Sequence, residues 1–600
     1  MRALLIVFLA ATPALGQYVP PVPAGLRGDT VVEYRGPIPL PSPQTRWIRV
    51  RSARFNVVST ASEKRAREVA STLETLASAL GSVHPRFRPK AIETRVLLFA
   101  RRSESQPYFD FLLKQASART PGMFVTSEDG SATMVIDSGS RWRDRTVVHE
   151  LMHNLLAASG ANLPLWLEEG IAEYFSTARV SRGAVHVGRP IREHEISIRR
   201  RSNRPIARLF AAKTTDYRLY ADSWAVVDWM MRTNDESFYR LVADVERGVA
   251  AETALQEHFR ITTPVLERLI RNPGMRAMRT FSIAVEEPRL QSEVETLSYS
   301  DALSELATFL GSMALGRQDA HRHLDAAATG HARALATRGV IRSYEKNYPE
   351  SYRLFEQALA ADPGDASIAL DYAEALLQSS FGPFSGVMEP AADAAARFRK
   401  ARELARGAAP RWRADAIAGS TYLVESDVTP GIPLLERALA QRPARMDVAL
   451  NLYALLLRSG RNDEAQRLFE GTFANSRQAQ TTLAARAVYV RERLTLANRY
   501  LDQHNTDEGL KIVREMIEIT PDPAARRELE AQLARIEAVA QANREITAYN
   551  TVVDATNRGA YEEALALVRS LLSTARDEKV LRDAARLRDE LVRHIRGMRR

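Results

Sequence analysis

Cysteine is absent from all 600 residues of the chain. Its absence excludes disulfides, thiolate metal ligands, a cysteine nucleophile and lipidation of a cysteine behind an export signal. Any metal centre must be built from His, Asp and Glu. Aromatic residues are sparse at 7%, and the densest basic stretch, ISIRRRSNRPIARLF, has none interleaved for base stacking. It reads as a solvated loop following a strand, so no nucleic-acid partner is expected. Beyond the first residues no apolar run approaches the roughly 20 residues needed to cross a bilayer, so the mature chain is expected to have no membrane span. What is present is ordinary for a soluble globular protein: 45% hydrophobic and 26% charged residues, with 83 basic and 73 acidic side chains giving a net charge of +10. That excess favours acidic surfaces or partners. The length implies about three to five structural units, fewer if part of the chain is a repeat array.

The opening MRALLIVFLAATPALGQ has a basic Arg2, an apolar run from Leu4 to Ala11, and small residues Ala14 and Gly16 before Gln17. This three-part pattern predicts an export signal over 1–16 and a periplasmic or secreted location. A proline-rich leader follows over 17–45. From Arg46 the pattern changes to a folded domain extending to about residue 280. RWIRVRSARFNVVS alternates like a strand pair, ASEKRAREVASTLETLASALGSV has helical spacing, and ETRVLLFARR is again strand-like, a β-α-β opening. A helix in QPYFDFLLKQ and two strands, GMFVTS and ATMVIDS, come next. Residues 281–300 read as a linker. From 301 to 600 the chain is almost wholly helical. Pro410 and Pro443, each closing a similar helix, lie 33 residues apart, and the segments between 335 and 590 resemble degenerate tetratricopeptide repeats. Such helix pairs bury their apolar faces only by stacking on neighbours, which implies a curved solenoid that binds peptides or proteins.

The chemistry concentrates in VVHELMHNLL, residues 147–156. In a helix running from Arg143 to Ala158, His149 and His153 share a face and can present both imidazoles to one ion, with Glu150 projecting beside it. Metal-assisted hydrolysis requires such an arrangement. A catalytic zinc takes three protein ligands, and a third histidine at the metzincin spacing is missing, since Leu156 and Ser159 occupy the required positions. His186 and His194 read as surface side chains. The next helix, opened by Pro164, holds Glu168, Glu169 and Glu173 among Trp166, Leu167, Ile171 and Phe175, where unpaired charge is costly. Glu169 and Glu173 share a face, so one can bind metal while the other accepts a free ring N–H of a ligating histidine. Helical spacing alone does not reject Glu168.

HELMH followed by WLEEGIAEYF resembles the gluzincin zinc metallopeptidases, including bacterial peptidase-MA-like proteins fused to tetratricopeptide repeats. The resemblance implies an α+β metallopeptidase domain followed by an all-α tetratricopeptide-like solenoid, with one Zn²⁺ held by His149, His153 and Glu169. Fifteen residues separate His153 from Glu169, somewhat fewer than in the aminopeptidase branch. The resemblance further implies that Glu173 orients His149, that Glu150 is the general base, and that Tyr220, in YRLYADSWAVVDWMM, donates a hydrogen bond to the oxyanion. GMFVTSEDGSATMV lacks the Gly-x-Met-Glu-Asn stretch of aminopeptidases, so an endopeptidase is favoured, and ATMVIDS is the strand expected to pair with an extended substrate. The alternative is a catalytically silent scaffold whose repeats recruit a protein partner.

Overall fold

The computed structural model describes residues 37–598 apart from 85–86, 88–93, 113–121, 127–131, 138–144, 160–162, 182, 200–204, 213–216, 272–279, 286–293, 380–393, 444, 475–478, 504 and 521–522. The export-signal segment, most of the proline-rich leader and the core of the basic stretch lie outside those residues. The chain divides into two units at Ala485 and Arg486, so the helical half does not form one body of its own.

The larger unit is built on a six-stranded mixed sheet. Its strands are β1 (Trp47–Arg51), β2 (Phe55–Ser59), β3 (Thr94–Phe99), β4 (Gly122–Thr126), β5 (Ala132–Asp137) and β9 (Val294–Leu297), in the order β4-β5-β3-β2-β1-β9. β2, β3 and β5 run parallel, and β1, β4 and β9 pair antiparallel to their neighbours. The expected β-α-β opening is present, with α1 (Glu63–Val83) crossing from β2 to β3 and capped by the Ser62 side chain, which accepts from the Arg65 N–H. A second sheet, β6 (Arg179–Ser181), β7 (Ala184–Val187) and β8 (Phe281–Ala284), is antiparallel throughout.

Because side chains alternate across a strand, each strand of the large sheet feeds two cores. Ile48, Val50, Phe55, Val57, Val96, Leu98, Met134 and Ile136 face one way, onto α1, α3 (Arg145–Ser159) and α4 (Leu165–Phe175). Trp47, Val58, Leu97, Phe99 and Val135 face the other way, under α2 (Arg102–Leu112) and the later helix Tyr299–Gly311 with its Leu306, Phe309 and Leu310. Around α4 the unit adds α5 (Arg192–Arg199), α6 (Ile206–Phe210), α7 (Tyr217–Thr233), α8 (Asp235–Glu246), α9 (Ala251–Phe259) and α10 (Thr263–Arg271).

Two expectations are corrected here. The interval 281–300 is not a linker: it supplies β8 to the small sheet and β9 to the edge of the large one, and Ser298 caps the helix that seals the second face. ISIR of the basic stretch belongs to α5, not to a loop after a strand. The end of the leader is also anchored, since the Ile38 N–H donates to Asp319 and the Tyr299 hydroxyl donates to the Pro41 carbonyl.

Beyond the second face come antiparallel helix pairs, whose first members are Ala332–Tyr344, Ala366–Gln378, Arg411–Ser420 and Met446–Arg458. The smaller unit is helical as well, with Thr506–Ile519, Pro523–Asn557, Tyr561–Thr574 and Glu578–Met598. The described part of the chain is thus mostly helical with a small mixed sheet. No described helix is long and apolar enough to cross a membrane.

A buried ion triad joins the large sheet to the helix Tyr299–Gly311. Glu305 accepts from Arg49 at 2.6 Å and Arg95 at 3.0 Å. Burial pushes the Glu305 carboxyl up, but the Arg95 and Arg49 guanidinium groups overcome that and hold it below its ordinary value. Removing one partner of a buried pair costs about 3–5 kcal/mol, because the other charge is stranded. Glu305→Ala is therefore expected to lower the denaturant-unfolding free energy at neutral pH by that order. A carboxylate whose folded pKa is depressed adds stability above its unfolded pKa and loses it as pH falls through the folded value. The gap between wild type and variant should accordingly narrow on acidification, and a gap that stays constant down to pH 2 would contradict the triad's role.

Candidate metal centre

α3 lies against β4, β5 and α1, and its apolar residues Val147, Val148, Leu151, Met152, Leu155 and Leu156 are buried on nearly every side. Helices of that kind sit inside a domain. Asn154, next to His153 in sequence, is buried and donates from Nδ2 to Thr94 Oγ1 at 2.7 Å, tying α3 to the start of β3. α4 starts after Pro164 and is buried along its length except at Glu168. It approaches α7 unusually closely. A Cβ on Gly170 would lie 2.6 Å from Val227 Cγ2 and 2.7 Å from the Ser223 carbonyl oxygen, so only glycine fits beside Glu169.

This packing brings together His149, His153 and Glu169. His149 Nε2 is 3.0 Å from His153 Nε2, and Glu169 Oε2 is 3.4 Å from the former and 3.3 Å from the latter. Tetrahedral ligand bonds of about 2.0–2.1 Å separate donor atoms by about 3.3–3.4 Å, and the three spacings fall around that value. Glu169 has no solvent exposure, and neither of its oxygens has a hydrogen-bond partner. A buried carboxylate in that state is costly unless a positive charge meets it. The donor set therefore fits a divalent cation. Burial pushes the Glu169 carboxyl up, while the His153 and His149 rings facing it pull it down to about 2.

Behind each imidazole stands a carboxylate. Glu173 Oε1 is 3.4 Å from His149 Nδ1, the position expected for it. Glu168, left open as a ligand by its spacing, instead lies 3.1 Å from His153 Nδ1 and serves the second ring as Glu173 serves the first. Glu150 projects from α3 half-buried. It makes no hydrogen bond or ion pair with the described residues, and burial pushes its carboxyl up against the pull of His149 and His153. Tyr220, near the start of α7, has its ring centroid 6.1 Å from that of His149. All six predicted residues thus share one neighbourhood.

His194 does not behave as a surface side chain: it is buried, with Nε2 3.0 Å from Glu173 Oε2. The reading of His186 holds better, for it sits on β7, pairs with Ser282 and does not reach the centre. Arg145, also on Glu173, was not foreseen. The only sequence signal for it is its place one turn before His149 on the same helix. A further correction concerns the substrate strand. The described part of ATMVIDS, Ala132–Asp137, forms β5, which is paired on both sides by β3 and β4, leaving no free edge; the sheet's edge there is β4. Another His and carboxylate group, Asp244, Glu257 and His258, is already satisfied, Asp244 by His258 at 2.6 Å and by Arg247.

A family model described as "Protein of unknown function (DUF1570)" matches residues 144–249. That interval runs from just before α3 to just past α8 and contains every residue of the centre. No curated protein matches the chain. Among solved structures, pilF of Pseudomonas aeruginosa aligns at 17% identity with a TM-score of 0.28, over 39% of this chain and 99% of that one. A human IFIT1 dimer with PPP-AAAA aligns at 11% identity with a TM-score of 0.23, over 67% of this chain and 94% of that one.

The close approach at Gly170 gives a test of the centre's construction. Gly170→Ala forces α4 away from a backbone oxygen, an overpacking that costs about 1–3 kcal/mol, and shifts the neighbouring Glu169. Lower thermal stability is expected and, if the three residues hold a cation, weaker binding of added zinc by chelator competition, whereas Gly471→Ala, where nothing lies within 4 Å, should change neither. Unchanged binding in Gly170→Ala would separate the helix contact from the metal ligands.

Proposed function

We propose that this chain is an exported zinc-dependent peptidase, with endopeptidase action on a peptide or protein substrate. The observation that carries the reading is the triangle of His149 Nε2, His153 Nε2 and Glu169 Oε2 around a buried carboxylate with no hydrogen-bond partner. Two imidazoles and one carboxylate suit zinc better than the hard, oxygen-loving cations. When bound there, zinc lowers the pKa of water and polarises a peptide carbonyl.

The protein's own groups supply the rest. Glu150 is unencumbered and held in a low-dielectric site that raises its pKa, which suits a group that takes a proton from water and later gives it to the leaving amine nitrogen. Glu173 and Glu168 fix the ring orientation of the two histidines from behind. The Tyr220 phenol, whose ring lies 6.1 Å from that of His149, is a neutral donor suited to the carbonyl oxygen as it gains charge.

The helix pairs of the larger unit after residue 332 support a tetratricopeptide-like role in recruiting substrate or a partner protein, since helix pairs of that kind bind partners by stacking side by side. A scaffold function without catalysis remains the second reading, and those pairs are what favours it. Residues 1–16 are proposed as an export signal, and the intact mass of protein recovered from an exporting host should begin at Gln17.

Glu150→Gln separates the two readings. The variant is expected to bind one zinc per chain as the wild type does and to lose about 10²–10⁴-fold in peptide-library cleavage. Full activity in the variant would remove Glu150 from the mechanism. Bound zinc with no cleavage by the wild type would favour the scaffold.

A further inference from the structure

α5 reads REHEISIR, and of its described side chains, residues 192–198, six are exposed or partly exposed while His194 is buried. The helix packs Ile198 against the main core, but it also buries an imidazole, which is costly unless the ring's polar atoms find partners. Nε2 finds one, while Nδ1 has no hydrogen-bond partner among the described residues. His194 Nε2–H donates to Glu173 Oε2 at 3.0 Å, and the ring packs 5.7 Å from that of Trp224 on α7, which fixes its plane. Arg145 donates to the same oxygen from the first turn of α3. With Oε2 held from two sides, the Glu173 carboxylate can turn only its other oxygen, Oε1, toward His149 Nδ1.

We infer that His194 is a positioning residue for the metal centre: it clamps Glu173, and through it the ring of His149, so that Nε2 of His149 is presented to the cation. The inference rests on the reading of His149 as a ligand. It extends the centre to a third layer and adds α5, a helix with no ligand of its own, to the machinery. The asymmetry between the two histidines follows from it. His153 is backed by Glu168, which lies at the least buried position of α4, whereas His149 is backed by a buried carboxylate that two further side chains hold. Partners behind a metal ligand typically contribute 10–100-fold to metal affinity.

The test uses the full chain and zinc alone, with affinity measured by chelator competition and apo-protein stability by thermal unfolding. His194→Gln keeps an N–H donor at about the place of Nε2, and His194→Met keeps the volume without the donor. His194→Met is expected to bind zinc about 10- to 100-fold more weakly, and His194→Gln to stay within about threefold of the wild type, with the two apo proteins melting together. Equal zinc affinity in all three proteins would overturn the inference while leaving the centre in place. So would equal weakening in both variants accompanied by equal loss of apo stability, since that is the signature of packing alone. Wild-type protein whose zinc binding is unaffected by His149→Ala would instead sink the reading of the centre itself, which keeps the two failures apart. Should His194→Met fail to fold, the comparison of His194→Gln with His194→Asn, whose amide reaches the Nδ1 position instead, carries the same discrimination.

Discussion

A carboxylate with no solvent exposure and no hydrogen-bond partner is the constraint around which this domain is arranged. Glu169 lies between Trp166, Leu167 and Ile171, where an ionised group is stable only against a positive charge placed close by. Two imidazoles within 3.4 Å answer part of that demand, and the proposed cation answers the remainder. The requirement propagates outward. To face the histidines, α4 must pack tightly on α3, and to be held there from the other side it must meet α7 at a distance that only Gly170 permits. α3 is fixed in turn by the sheet, through its apolar faces and the Asn154 to Thr94 hydrogen bond. Fold and site are therefore one packing problem.

The polar groups form layers of decreasing burial cost. Nearest the centre are the three candidate ligands; behind them stand Glu173 and Glu168; behind Glu173 stand His194 and Arg145. Glu168 lies within hydrogen-bond distance of His153, and Glu173 is held by His194 and Arg145, while Glu169 and the Nδ1 atoms of His149 and His194 keep no hydrogen-bond partner. Glu150 stands apart from these layers, a half-buried carboxylate with no described hydrogen-bond partner. That difference in surroundings, and not in chemistry, is what distinguishes it from Glu168 and Glu173, and it is what the proposed proton-transfer role uses.

Much of this was legible in the chain, for reasons that are local. The four-residue spacing of His149 and His153 fixes a shared helix face, and the apolar character of WLEEGIAEYF shows that its carboxylates are buried. What spacing could not do was separate Glu168 from Glu169, because adjacent helical residues differ by about 100° and the direction of the partner helix decides between them. His194 escaped because its face is marked only by Ile191 and Ile198, three residues before it and four after, too sparse a stripe on a charged helix to announce a buried histidine. β8 and β9 escaped because each is four residues long, too short for alternation to register, and because their partners lie in β7 and β1, far off in sequence. The assignment of ATMVIDS as a free edge failed for the same reason, since edge or interior is a property of the sheet and not of the strand.

The boundary near 300 illustrates the difference between a change of composition and a change of domain. Helical, alanine-rich sequence begins there, but the first of those helices, Tyr299–Gly311, covers Val58, Leu97, Phe99 and Val135 and carries the Glu305 that neutralises Arg49 and Arg95. A sheet that is apolar on both faces cannot leave one of them to water. A fragment ending at 280 would expose that face, deprive Arg49 and Arg95 of Glu305 and remove both β9 from the large sheet and β8, whose Phe281 packs against Tyr174 and Phe175 of α4. The helical half therefore begins as part of the core that carries the site, and the first stacked pairs grow from a helix the sheet already requires. Recruitment by the repeats and chemistry at α3 and α4, as proposed, would be linked through the two faces of one sheet and not through a flexible tether.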